Sequence, residues 1–495
     1  MTAWAEALAR RMAGPQRHRL LQGFPMLPLM REAVPRAGEP DAVHAGRHLD
    51  GGLAPIRPDG PREPAWIDLD ATRPLLIGVL PHAQCIPRVE GCGFCTFPHD
   101  RHDKVLLAQT VDRVEEQLRG IATAHPAIAA RRVLGVYLGG ATANLTPAKV
   151  LRPLAETLAT CFDLREAEVT LEGIPSLFRS LLAGPFEVLR DLPARHRRIS
   201  MGVQTFDAAM LARMGRQAFG DRATVARVVE KAHAHGMTAS ADFLINLPHH
   251  PLPRTLDDLR EAAAMGLDQI CLYHLVLTPE MGTPWAADPA MLAALPSIAD
   301  ACAHWLAARD WLLANGYVQT TLTNFERAEI HATPRRFVYE ELSFTPERVD
   351  ALGVGPHAIS TFVDLPRRRA VKHVRGKSLH PWRARDLYFG YDEADLRLYM
   401  LTRSLPRLRV ARATYRDLFA TDLVDDFAGP IAAVVEAGLA AVDDDALTLT
   451  PRGMFYADAI AGLLASERVE ILRAGAAGRH TRDALDEQVF REFMG

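Results

Sequence analysis

No stretch of this 495-residue chain holds the roughly 18–20 consecutive apolar residues needed to cross a bilayer, so no membrane-spanning helix is expected. The opening residues, MTAWAEALARRMAGPQRHRL, contain arginines but no apolar core of the secretory kind, and their spacing suits a surface helix. An excess of one charge is also missing: 57 Lys and Arg stand against 60 Asp and Glu, a formal net charge of −3. Bulk attraction to nucleic acid or to an acidic membrane is not implied, and neither is expected as a partner. Cysteine is scarce. Three of the six cysteines fall between residues 85 and 95 and the others are scattered, unlike a disulfide framework, which points to the reducing cytoplasm. Repeats and low-complexity tracts are absent as well.

What the chain does have is material for a core, 48% hydrophobic against 24% charged residues, and length for two or three domains. Residues 1–72 read as an N-terminal extension that runs into a Gly/Pro/Arg-rich connector, HLDGGLAPIRPDGPREPAW. From residue 73 to 330, six short apolar runs alternate with helical patterns: PLLIGVL, RVLGVYLGG, AEVTLEG, RISMGVQ, TASADFLINLP and QICLYHLVL. Such alternation implies parallel strands with helical crossovers, an α/β fold closing as a partial (β/α)6 TIM-like barrel. Residues 331–384 form a Gly-rich segment and connector. Residues 385–495 read as a helical, winged-helix-like domain, with ALTLTPRG as the wing.

In barrels of this kind chemistry sits at the C-terminal strand ends, and the candidate residues cluster there. Cys85, Cys92 and Cys95 follow the first strand in PHAQCIPRVEGCGFCTFPHD. Three neighbouring thiolates can each ligate one iron of a [4Fe–4S] cubane and leave the fourth iron open to a substrate. A zinc site completed by His82 or His99 is the plainer alternative, and three incidental cysteines the plainest. Gly139-Gly140-Ala141-Thr142 ends the second strand, Glu172 the third and Gln204 the fourth. Arg216 follows on the next helix, and Asp242 sits within the mostly apolar fifth strand, where a carboxylate is costly unless paired. His249 and His274, at the ends of the fifth and sixth strands, are candidate proton-transfer residues, although such histidines often serve only as polar loop residues. Cys161, Cys271 and Cys302 read as small buried hydrophobes.

Read in order, CGFC, YLGGAT, EVTLEG, RISMGVQTFD, MGRQ, ADFLINLP, LYHLVLTPEMGTP, NGYVQTTLTNF, LGVGPHAIS and LTLTPRGMFYADAI resemble the radical SAM family of the oxygen-independent coproporphyrinogen III oxidases, the HemN-like proteins. That family includes heme chaperones, heme-degrading enzymes and class C radical SAM methyltransferases, and the resemblance runs from about residue 74 to 470. It implies that Cys85, Cys92 and Cys95 hold a [4Fe–4S] cluster and that the backbone at Phe94 approaches the adenine of S-adenosylmethionine (SAM). It further implies that Gly140, Ala141, Thr142 and Glu172 meet the methionine end, that Gln204 and Asp242 face the ribose, that Arg216 binds the carboxylate and that Ile359 lies against the adenosyl group.

Three departures stand out. The cysteine spacing is C-x6-C-x2-C where the family has C-x3-C-x2-C, implying a wider cluster loop. Val79 replaces a family tyrosine six residues before the first cysteine, and RRFVYEELSFTPERVDALG lacks the tryptophan of the heme chaperones. These departures favour a specialised enzyme. The expected reaction is transfer of a methyl or methylene group from a second SAM to an sp2 carbon of a natural-product intermediate. The alternatives are tetrapyrrole chemistry, with Arg367, Arg368 and Arg369 receiving propionates, and a non-catalytic heme chaperone. A small-molecule substrate and a flavodoxin or ferredoxin as electron donor are the expected partners.

Overall fold

A computed structural model describes residues 2–16, 70–97, 99–179, 184–376 and 387–468; the Gly/Pro/Arg-rich connector and the end of the last expected helix lie outside the described residues. The six apolar runs form strands β1 (Leu75–Val79), β2 (Val133–Leu138), β3 (Glu168–Gly173), β4 (His196–Gln204), β5 (Thr238–Ile245) and β6 (Gln269–His274). Each pairs in parallel with the next. The crossovers are α2 (Lys104–Ala124), α3 (Ala148–Cys161), α4 (Pro185–Asp191), α5 (Arg222–Ala234) and α6 (Leu252–Ala264); α7 (Ile298–Ala314) follows β6 and α1 (Ala3–Met12) precedes them all. Asp103 starts α2 by accepting the Val105 and Leu106 N–H groups, two of the donors that a helix start leaves unpaired. Several strands stop earlier than their apolar runs, because the glycines after β2 and the LVL after β6 leave the sheet as loops that carry the site.

The sheet does not end with these six. β7 (Tyr317–Gln319) and β8 (Asn324–Arg327) add antiparallel beyond β6, and β9 (Asp350–Val354) adds parallel to β1. β10 (Ile359–Asp364), β11 (Arg369–Val374) and β12 (Leu387–Tyr391) extend that edge, giving twelve strands in the order β12-β11-β10-β9-β1-β2-β3-β4-β5-β6-β8-β7. The Gly-rich segment is thus part of the same sheet. The seam between β1 and β9 is pinned by Asp350, which pairs with Arg73 at 2.9 Å and Arg131 at 3.1 Å and accepts the Val363 N–H. Among the described residues no helix is long and apolar enough to cross a membrane.

The C-terminal part holds α8 (Glu393–Ser404), α9 (Arg412–Phe419), α10 (Ala428–Glu436) and α11 (Ala457–Leu464) with a small sheet of β13 (Arg409–Ala411), β14 (Ala440–Val442) and β15 (Ala446–Leu449). The hairpin β14–β15 is the wing read from ALTLTPRG. An unforeseen member joins it: α1 packs against α10 and α11. Gly429 leaves room for the Trp4 indole, and Gln16 accepts the Ala459 N–H at 3.2 Å.

Candidate active site

Because strand side chains alternate, one residue in two faces the inside of the curved sheet. Tyr137, Glu172, Ser200, Asp242, Cys271 and Tyr273 share that side. His274 falls on the other: it bonds Asn246 at 3.1 Å and lies against Phe455 of the C-terminal part, ring centroids 5.2 Å apart. His249 stands exposed in a left-handed turn at φ 58°. The two expected proton-transfer histidines are therefore brought together neither with each other nor with the interior. His250 next to His249 is buried beside Thr205, Thr255 and Asp258, a cluster that ties the β4 and β5 loops to α6.

The cysteine loop is built by close approaches. Gly91, Cys92 and Gly93 all take left-handed backbone, φ 54°, 52° and 85°. The run is a tight turn closed on itself: the Cys92 N–H bonds the Val89 carbonyl, and the Phe94 and Cys95 N–H groups bond the Gly91 carbonyl. A cysteine held there carries about 1–3 kcal/mol of strain that the surroundings must over-determine. They do: Gly215 lets the MGRQ turn touch Val89 and accept the Arg88 N–H, and the Trp285 N–H bonds the Gly93 carbonyl at 2.8 Å. Gly93→Ala would drive a Cβ into the Trp285 indole at a left-handed φ. It is expected to sharply reduce iron and sulfide retained after reconstitution while far-UV circular dichroism stays unchanged.

Each thiol has a different neighbour. Cys85 Sγ lies 2.9 Å from Thr142 Oγ1, Cys92 Sγ accepts from Arg216 Nη1 at 3.3 Å, and Cys95 Sγ accepts the Phe97 N–H at 3.4 Å. Among the described residues no three His, Cys, Asp or Glu side chains converge on one point as a single-ion site requires. The donor set fits a cluster bound through separate irons. Arg216 sets a guanidinium against Cys92, and among the described residues its buried Nε has no hydrogen-bond partner.

Beyond the loop, Glu172 lies deep in the barrel, with the Tyr137 hydroxyl and the Gly140 N–H donating to it. Burial and then the Asp242 carboxylate raise its pKa to about 8. Gly139 is needed here, since a Cβ would crowd both Tyr137 and Glu172. Gln204, at φ 74°, and Arg216 come together over Gly202, where a Cβ would lie 3.3 Å from both side chains. Ile359 opens β10 and is 41% exposed, an apolar surface left uncovered at the mouth. Phe94, whose ring lies 5.6 Å from Trp285, completes the rim.

Below this ring lies a cavity of about 390 Å3, bounded by Asp242, Ile359, Arg198, Cys271, residues 337–349 and, from the far edge, Lys372, Tyr399 and Arg403. Sequence reasoning missed most of this wall. Cys271, expected to be mere packing, points into it. Lys372 in RAVKHV was the available signal, a charge in the middle of a mostly apolar strand. Trp285 and Gly215 carried no signal in the sequence, since their role is contact with a loop far away in the chain.

No family model matches the chain. It is 25% identical over 297 residues to the heme chaperone HemW of Haemophilus influenzae, covering 58% of this chain and 72% of that protein. It is 27% identical over 241 residues to the oxygen-independent coproporphyrinogen III oxidase of Paracoccus denitrificans, covering 47% of this chain and only 51% of that enzyme. Among solved structures, coproporphyrinogen III oxidase (HemN) of Escherichia coli, described as a radical SAM enzyme, superposes with a TM-score of 0.66 at 19% identity, covering 87% of this chain and all of that one. These likenesses make the chain similar in sequence to HemN-like proteins and in fold to coproporphyrinogen III oxidase (HemN) of Escherichia coli.

Proposed function

We propose that this chain cleaves SAM reductively and directs the resulting radical at a small molecule bound inside the barrel. The observation that carries the reading is the cavity that opens directly beneath Asp242 and Ile359, on the same side of the sheet as Glu172. When bound, the cluster supplies the electron that splits SAM into methionine and a 5′-deoxyadenosyl radical. The protein's own part is to hold and shield. Cys85, Cys92 and Cys95 would hold the cluster, with Arg216 balancing thiolate charge beside Cys92. Glu172, kept in place by the Tyr137 hydroxyl, would receive the amino group of SAM, and Gln204 and Asp242 its ribose. Burial, with Glu172 and Asp242 nearby, raises the Tyr137 pKa well above its usual value, so its hydroxyl remains a donor. The enclosing wall excludes water, which would otherwise quench a reactive intermediate. A flavodoxin or ferredoxin would deliver the electron.

For the step that follows, the named relatives favour hydrogen abstraction and oxidation of the substrate, as in coproporphyrinogen oxidation, over methyl transfer. Transfer of a methyl or methylene group is the second reading. It is favoured by Val79, which is buried where the resemblance expects the tyrosine of the decarboxylating members. Propionate capture by the arginine run draws no support: Arg367 and Arg369 pair with Asp364, and Arg368 with Glu393.

The test is an anaerobic assay of the reconstituted chain with SAM and dithionite, products followed by mass spectrometry. 5′-Deoxyadenosine is expected from the native chain and none above background from Cys92→Ala. Accompanying S-adenosylhomocysteine would decide for methyl or methylene transfer. Intact SAM together with a stoichiometric Soret band on adding heme would overturn the enzymatic reading in favour of a chaperone.

A further inference from the structure

Two cations on the far wall of the cavity have no use in the chemistry above. Lys372 projects from β11 and is 5% exposed. Among the described residues no carboxylate lies within ion-pair distance of it, and the charged group that acts on it is another cation, Arg403. Arg403, on α8, donates from Nε to the Ser343 carbonyl at 2.8 Å and lies over the Phe344 ring at 4.6 Å, but among the described residues its buried Nη1 has no hydrogen-bond partner. Two buried like charges side by side are costly, and a protein keeps them where a ligand of opposite charge offsets the cost.

The other ionisable groups on the wall are already engaged. Arg198 pairs with Glu168 at 3.3 Å and donates to Thr170, Ser240 and Gln269. Glu340 accepts from Thr321 and Thr323; its carboxylate also acts on Arg403, without an ion-pair contact between them. Asp242 stands on the opposite side, with Cys271 and Tyr137. Between the two ends the lining is aromatic: Tyr137, Tyr273, Phe337, Tyr339, Phe344 and Tyr399. Such walls favour a flat, apolar body.

We infer that the substrate of this site is a compact, flat monocarboxylate, its carboxylate held between Lys372 and Arg403 and its opposite end presented to Asp242 and Ile359. A cavity of about 390 Å3 lies at the small end of the range for ligand sites. A substrate seated this way would be attacked at the end remote from its carboxylate. The charge arrangement agrees: burial, and then Arg403, pull the Lys372 pKa down to about 7, and an anion bound there would bring the proton back. The inference rests on the proposed radical chemistry for the orientation of the substrate but not for its binding.

Binding can therefore be tested without turnover. Calorimetry on the reconstituted full chain with SAM but no reductant would compare benzoate with its neutral analogue benzamide. Benzoate is expected to bind at least tenfold more tightly. Lys372→Met and Arg403→Gln should each weaken benzoate by tenfold or more and leave benzamide unchanged, and Lys372→Arg should restore most of the loss. Lys372→Met should also raise the melting temperature of the ligand-free chain, since it removes an unpaired buried charge. If Arg403→Gln does not fold, the Lys372 series decides alone. Equal binding of the two probes, absence of benzoate binding, or benzoate binding that ignores Lys372→Met would each overturn the inference. None of these readings depends on SAM cleavage, so failure of the radical assay would remain a separate result.

Discussion

Replacing Asp350 by alanine is expected to cost about 3–5 kcal/mol and to open the sheet between β1 and β9, because it strands two buried guanidinium groups at once. Arg73 and Arg131 are 6% and 0% exposed at the side chain, and the Asp350 side chain is 1% exposed. Arg73 would keep its bonds to the Pro346 and Val349 carbonyls, at 2.6 and 3.0 Å, whereas among the described residues Asp350 is the one acid that pairs directly with Arg131, Asp70 acting on it only from farther off. The Val363 N–H would also lose its acceptor. Urea unfolding should show the midpoint falling by the corresponding amount, with the effect seen first in the β9–β11 edge by hydrogen exchange. Since that edge carries Ile359 and Lys372, the variant should also lose benzoate binding. An unchanged midpoint would mean that the arginines find water, and that the seam is held by packing alone.

Glu172→Gln should move stability and SAM affinity in opposite directions. The folded chain holds the Glu172 pKa at about 8, above the ordinary carboxylate value, so folding favours the protonated form. The stability this group contributes is fully present below the unfolded pKa, near 4.3, and is lost as pH rises through the folded value of about 8. Glutamine does not ionise, so the variant should be more stable than the native chain above pH ~5, by about 2–3 kcal/mol near neutrality. Its melting temperature should also vary less between pH 5 and 8. SAM binding should weaken by roughly 10–100-fold, the worth of a charge-assisted hydrogen bond. Thermal melts across pH, paired with calorimetric SAM titrations, check both. A variant that is no more stable than the native chain would show that Glu172 is ionised in the ligand-free protein.

Much of the site's frame was legible in the chain. The cysteine triplet, the glycine pair after β2, Glu172 and Asp242 announce themselves because each is a residue type out of keeping with its local pattern. The alternation rule could have gone one step further: in QICLYH, Cys and Tyr share one face and Ile, Leu and His the other, which separates Cys271 from His274. The cation wall was not legible, since Lys372 and Arg403 meet the cavity from β11 and α8, elements whose placement depends on how the sheet continues past β1. That continuation rests on β9 joining as a parallel strand more than two hundred residues after its neighbour, a pairing that no local periodicity announces.

The helix at residues 3–12 also bears on how the molecule is made. Its partners, at 428–464, leave the ribosome only after the entire barrel has been synthesised, so Trp4 and Leu8 must wait with their apolar faces uncovered through most of translation. Contacts this distant in sequence form late and slowly. The last act of folding would then be a clasp, an early segment closing over a late one, and nascent chains shorter than this should display the helix as a sticky handle for chaperones.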